Sequence, residues 1–329
     1  MFKKSSITGI TLESAGLVAL ADLPTVAVRT ALMGTASWLD ILVLALGMHQ
    51  QQSADEVNRG EFPQTGSLTN GYVFRIENPA TVSYLQRIGR TGHLVKQKKQ
   101  YKDTKNPYFD LSLPQYHTFC IAGVSVALLY LLCPMLTIVV FALVGSIRDR
   151  WALAVLGILV LSRSINVFVI KRRASDSRIW KGADEKGDGD LLIVLSQDRW
   201  IRMQGKLSDI KRVTAGQWLR DEDRVEGLAI GIATLLVYAA AALAGNASTI
   251  GSLLIACLLL CSVALLALCN SFTPCLQMYD FTVQKKKGEG SPETFSRRLD
   301  MVSKLVGEKK SRDWAVNMGL ISPTTVLDS

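Results

Sequence analysis

The chain is short of the groups from which catalytic and metal centres are built. Its 329 residues hold three histidines, His49, His93 and His117, far apart and in no ligand spacing such as His-Glu-x-x-His. The six cysteines include no Cys-x-x-Cys pair, which argues against zinc, and they sit in or beside apolar runs, unlike a secreted disulfide framework. Neither a Gly-x-x-x-x-Gly-Lys-Ser/Thr phosphate loop nor a Gly-x-Ser-x-Gly nucleophile turn occurs. No internal repeat is visible, which counts against an inverted-repeat transporter. The net charge of +9, from 37 Lys and Arg against 28 Asp and Glu, is spread between apolar runs and forms no single basic patch, so nucleic acid is not an expected partner. The residues therefore suggest no cofactor, no metal ligands and no catalytic set.

What the chain has is long hydrophobic runs. Hydrophobic residues make up 49% of it, and the mean hydropathy is +0.23. A bilayer core about 30 Å thick takes roughly 20 apolar helical residues to cross. Runs over 119–145, 151–170, 225–244 and 248–269 meet that length, with Pro134 inside the first tolerable as a kink. A fifth run, 31–48, is shorter and carries Asp40 near its middle. A central Asp costs about 2.5 to 3.5 kcal/mol on insertion scales, which its leucines, isoleucine and valine only just offset. The expectation is an all-α membrane protein of five spans with a small cytosolic α+β insert. Residues 1–30 make a poor secretory signal, because Glu13 cuts the apolar core and Asp22 follows. They read as an interfacial helix or, turning at Pro24, a hairpin.

Lys and Arg at span ends set orientation. Lys96, Lys98, Lys99, Lys102 and Lys105 precede the second run; Lys171, Arg172 and Arg173 follow the third; Arg220 and Arg224 precede the fourth; Lys285, Lys286 and Lys287 follow the fifth. Placing loop 49–118, insert 171–224 and tail 270–329 together in the cytosol is self-consistent. Five spans then leave the N-terminus outside, against Lys3, Lys4 and Arg29. A re-entrant first run, or a hairpin turning at Pro24, removes that conflict. Nothing in the sequence chooses between endomembrane and plasma membrane.

The polar segments carry weaker signals. A strand is expected through 71–75 and a helix near 82–88. In the insert, 191–195 and 199–203 flank a turn at Ser196, Gln197 and Asp198 and read as a β-hairpin. Leu207, Ile210, Thr214 and Trp218 then recur at helical spacing and can cover it. In the tail, Ser291, Pro292 and Glu293 look like a helix start, with Phe295, Leu299, Val302 and Val306 as its apolar stripe.

Ionisable groups inside a membrane are functional hypotheses by default, so Asp40 and Arg163 form the candidate intramembrane polar pair. Asn166, one turn from Arg163, can join them. Snorkelling of Arg163, a neutralising ion pair and a proton or substrate site all remain open. Asn246, Ala247 and Ser248 form a glycosylation sequon in a short turn, and Cys275, just past the last run, is a candidate for palmitoylation or for simple packing. Gly227 and Gly231 form Gly-x-x-x-Gly, expected to pack the fourth run against the fifth. The acidic run Asp221, Glu222 and Asp223 suits a helix N-terminus, or a magnesium site if a second cluster faces it.

The stretch Asp198-Arg199-Trp200-Ile201-Arg202-Met203-Gln204-Gly205, with Asp209 and Thr214-Ala215-Gly216-Gln217-Trp218-Leu219 ahead of a hydrophobic hairpin, resembles a group of uncharacterised polytopic membrane proteins of filamentous fungi. The likeness covers 191–270. It implies a multi-pass membrane protein without an established activity, in a setting that includes secondary-metabolite pathways. The leading expectation is a non-enzymatic anchoring or accessory component whose partners are the lipid bilayer and a cytosolic or membrane protein. The alternatives are a small-molecule or proton-coupled transporter using Asp40 and Arg163, and a membrane-embedded lipid-modifying enzyme.

Overall fold

The computed structural model describes residues 19–101, 124–176, 179–180, 186–278, 281–285, 292–309 and 311–325. Helix α1 (Thr25–Met33) is followed by 3-10 turns at Trp38–Leu42 and Met48–Glu56. Next come β1 (Gln64–Ser67), β2 (Val73–Arg75), α2 (Pro79–Ile88) and β3 (His93–Tyr101). A helical hairpin, α3 (Val124–Ile147) and α4 (Arg150–Ser175), precedes β4 (Asp188–Leu195), β5 (Arg199–Lys206) and α5 (Leu207–Thr214). A second hairpin, α6 (Arg224–Leu243) and α7 (Thr249–Phe272), leads to β6 (Cys275–Met278), β7 (Phe281–Lys285) and β8 (Glu293–Thr294). Helices α8 (Arg298–Lys309) and α9 (Asp313–Asn317) end the described chain.

These elements group into two units. A helical unit comes from Met1–Ala54, Asp110–Ser177 and Leu219–Thr273, and a sheet unit from Asp55–Phe109, Arg178–Trp218 and Pro274–Ser329.

In the helical unit, the long apolar runs become, among the described residues, four helices long and apolar enough to cross a membrane: Val126–Ile147, Arg150–Ser175, Arg224–Asn246 and Thr249–Phe272. At a rise of about 1.5 Å per residue each matches the hydrocarbon thickness. Their outward faces stay apolar: Leu128, Leu132, Ile138, Phe168, Leu228, Leu235, Leu260 and Phe272 are all exposed. Such faces suit hydrocarbon as solvent. Helix α6 packs along α4, and α3 along α7. The two hairpin tips are tied by Asp149, which caps α4 through Ala152 N (3.1 Å) and accepts Ser248 N at 2.7 Å on its other oxygen.

The run 31–48 is not a membrane-length helix, which corrects the expectation of a fifth span. Gly34 in the left-handed region ends α1, and Ser37 with Asp40 forms a capping box that starts a separate 3-10 turn. Gly47, at φ +75°, passes so close to Leu23 that a Cβ would lie 1.9 Å from its carbonyl oxygen. The apolar residues Val43, Leu44, Ala45 and Leu46 are buried inside the helical unit, so the segment is a broken strap packed among helices. The Gly-x-x-x-Gly expectation is also corrected. Gly231 meets nothing within 4 Å, Gly227 approaches only Glu222, and the buried face of α6, at Ala233, Val237 and Ala240, turns to α4 and not to α7. There Ser162 Oγ donates to the Ala233 carbonyl at 2.7 Å.

The sheet unit is larger than the hairpin insert that was expected. Its eight strands run in the order β2-β1-β4-β5-β3-β7-β6, with β8 against β3. Among the described residues only β3 and β5 pair in parallel. The expected hairpin is at the centre, with Leu191 opposite Met203 and Leu195 opposite Arg199. Ser196, Gln197 and Asp198 form the three-residue connection, in which Gln197 and Asp198 both adopt positive φ. Strands β1, β2 and β3 come from the first polar segment, β4 and β5 from the second, β6 to β8 from the third.

The two faces of the sheet follow from residue alternation. Leu192 and Trp200 pack with Met301, Val302 and Leu305 of α8 and with Trp314, Ala315 and Met318 around α9. The side chain of Met318 fills the space a Cβ on Gly66 would need. The tail helix therefore starts later than expected. Glu293 lies in β8, Ser291 falls outside the described residues, and Leu299 of the expected stripe is exposed. An ionic cluster fixes this helix to the sheet: Arg202 donates to Asp190 (2.9 and 2.8 Å) and to Glu308 (2.6 Å), and Lys309 lies 2.7 Å from Asp190. Burial alone would raise the Asp190 carboxyl, but hydrogen bonds from Arg202, Lys309 and Gln204 outweigh it and hold the group below its ordinary value.

Candidate functional site

The two intramembrane candidates meet, though not as an ion pair of side chains. Arg163 on α4, 2% exposed, donates from Nε to the backbone carbonyl of Asp40 at 2.9 Å and from Nη1 to Gln51 Oε1 at 2.6 Å. The Asp40 carboxylate is occupied elsewhere. One oxygen accepts Ser37 N at 2.7 Å, closing the capping box, and the other accepts the Tyr130 hydroxyl at 2.6 Å. Tyr130 and Thr137 lie two turns apart on one face of α3, and Thr137 Oγ1 donates to the Leu42 carbonyl at 2.7 Å. Thus α3 grips the 3-10 turn from one side and α4 from the other.

The network continues along the strap. Gln51 Nε2 donates to Thr30 Oγ1 at 3.0 Å, and Gln52 Nε2 reaches the Asn166 carbonyl and Oδ1 at 3.1 and 3.2 Å. Arg173 donates to Gln52 Oε1 and to the Arg220 carbonyl. Arg29 stacks 5.3 Å from the Tyr130 ring and donates to Thr273 Oγ1 at 3.2 Å. Chemically this is a set of donors and acceptors that pair with one another where water is scarce, the Asn166 amide nitrogen alone among those named being buried without a partner. It can hold an irregular backbone. Asp40, whose two oxygens each accept one hydrogen bond, is placed for that work.

The other sequence candidates are placed as follows. Asn246 is exposed in the turn between α6 and α7. Cys275 is fully buried in β6, so its thiol is not presented for acylation and the packing alternative fits its position. Asp223 caps α6 in a capping box with Glu226, whose carboxylate receives Arg220 Nη2 at 2.7 Å. Among the described residues no three His, Cys, Asp or Glu side chains gather as a metal site would need.

A second feature was not legible in the sequence. The sheet unit carries a cavity of about 1030 Å³ lined by Tyr72, Phe74, Arg75, Trp180, Leu191, Leu207, Ile210 and Lys211, among others. Tyr72 and Trp180 are 65% and 58% exposed, and Tyr72 stacks on Phe74 at 5.9 Å. A smaller hollow of about 380 Å³ is lined by Phe62, Gln64, Val73, Phe74 and Arg75. Both adjoin β2, which ends the sheet. The one available sequence signal was the aromatic alternation of 71–75, but no local pattern marks a strand as an edge.

Compared with known proteins, the chain matches no family model, no curated protein and no solved structure.

Proposed function

We propose that the protein is a non-enzymatic, multi-pass membrane component that anchors a partner-binding unit at the cytosolic face. The observation that carries this reading is the division of labour between the units. In the helical unit, Asp40 and Arg163 are engaged in holding the strap 25–56, whereas the sheet unit offers a groove of about 1030 Å³ flanked by exposed aromatics. The basic residues at the span ends argue for the cytosolic side. A strap that does not cross also removes the orientation conflict of an odd span count. Asn246 then faces the opposite side.

Proximity labelling from a C-terminal fusion tests the reading: a reproducible set of cytosolic or membrane proteins is expected, and an empty set overturns it. The transporter alternative requires Asp40 to change its partners during a cycle. It predicts that Asp40→Asn abolishes flux in proteoliposomes at unchanged expression, whereas an anchoring protein shows no flux to lose.

A further inference from the structure

The outer edge of β2 deepens the proposal above. Pairing with β1 sets Gln64 opposite Arg75, Thr65 opposite Phe74 and Gly66 opposite Val73. Ser67 N donates to the Tyr72 carbonyl and Ile76 N to the Pro63 carbonyl, so Tyr72, Phe74 and Ile76 turn their backbone groups toward β1. By the alternation of an antiparallel ladder, the N–H and C=O of Val73 and Arg75 point away from the sheet. That edge is where a further strand can bond.

The two hollows adjoin this edge and share Val73, Phe74 and Arg75, whose side chains alternate between the two faces of the sheet. Phe74, Ser67 and Leu191 share one face and line the larger hollow. Gln64, Val73 and Arg75 share the other face and line the smaller one. A strand laid along β2 sends its side chains alternately to the two faces. Every second residue would enter the larger hollow against Tyr72, Trp180 and Ile210, and the residues between would enter the smaller one. Arg75, exposed and lining both hollows, supplies a cation for a cross-strand partner.

We propose that β2 is a docking edge for an extended peptide segment of a partner protein, one with an aromatic or large apolar residue for the larger hollow and an acidic residue beside Arg75. This rests on the partner-binding reading above. Edge pairing recognises the peptide backbone, and the hollows recognise its side chains.

The test uses the full chain in lipid nanodiscs and a displayed library of random peptides about ten residues long, enough for one strand. Enriched peptides should carry the aromatic and acidic pattern, and their binding should slow amide exchange at Val73 and Arg75. Two N-methylated versions of an enriched peptide then decide the geometry without altering the protein. Methylation of the alternate amides facing β2 should weaken binding about tenfold or more, and methylation of the other set should leave it intact. Trp180→Ala should weaken binding by a similar factor, and Arg75→Glu should reverse the preference for an acidic residue.

Equal effects of both methylation patterns, unchanged exchange at Val73 and Arg75, or no enriched peptide would overturn the proposal. So would protection of the same amides by anionic vesicles alone, which assigns the edge to a membrane surface. Self-association that protects them assigns it to a second copy and overturns the proposal equally. Labelling separates the two levels: a partner set unchanged by Val73→Pro removes this site while the anchoring role stands, and an empty wild-type set removes the anchoring role itself.

Discussion

Replacing Arg163 by Met removes the guanidinium while keeping most of the side-chain length. Two buried acceptors, the Asp40 carbonyl and Gln51 Oε1, then lose their donor. Each stranded acceptor costs about 1–3 kcal/mol, so the loss comes to roughly 2–6 kcal/mol. For a body of this size that corresponds to a fall in melting temperature of about 4–24 °C, at about 2–4 °C per kcal/mol. Cys133 and Cys269 are fully buried in the helical unit, so a thiol-reactive dye reports its opening in detergent once the exposed Cys257 and Cys261, together with Cys120 and the sheet unit's Cys275, are replaced by Ser. Arg163→Lys retains a donor but cannot span both acceptors in fixed geometry, and should fall between wild type and Met. A melting temperature for Arg163→Met within about 1 °C of wild type would refute the view that this side chain clamps the strap.

Asp190→Asn should loosen α8 from the sheet by about 3–5 kcal/mol, because it leaves Arg202 buried without its bidentate partner; hydrogen exchange across α8 and β5 reads this out. Since the folded Asp190 titrates below its ordinary value, its contribution is complete above the unfolded carboxyl value near 4 and is lost as pH falls through the lower folded value, a loss Asp190→Asn should abolish. Trp314→Ala empties a fully buried site and should cost about 3–5 kcal/mol, seen as lost exchange protection in α8 and α9 together. Gly231→Leu should leave melting and oligomeric state unchanged, since open space lies beyond it; a shift in either would return the glycine pair to a packing role.

Hydrophobic run length alone located the four long helices, because nothing else in a sequence demands some twenty apolar residues in a row. The strap was harder to read. Its leucines resemble a span, and only the turn chemistry of Gly34, Ser37 with Asp40, and Gly47 shows that it breaks. The central hairpin was legible because its pairing is local. Most of the sheet was not, because β1 is Gln-Thr-Gly-Ser and β3 is rich in lysine and glutamine. Lys96, Lys98 and Lys99 signal orientation in the sequence and are strand residues in the fold, whereas Lys102, Lys105 and the first 18 residues lie outside the described structure. Contact between Asp40 and Arg163 was foreseeable from composition. That it runs through a main-chain carbonyl was not.

The parallel pairing of β3 with β5 and the antiparallel pairing of β7 with β3 set an order of manufacture. Strand β3 leaves the ribosome long before either neighbour exists, and β7 emerges only after both helical hairpins have been made. Through that interval a nascent chain holds an open flank in solution, the kind of surface that recruits chaperones or aggregates. A message truncated just past Phe272 would yield a protein with both hairpins made and that flank of β3 permanently bare.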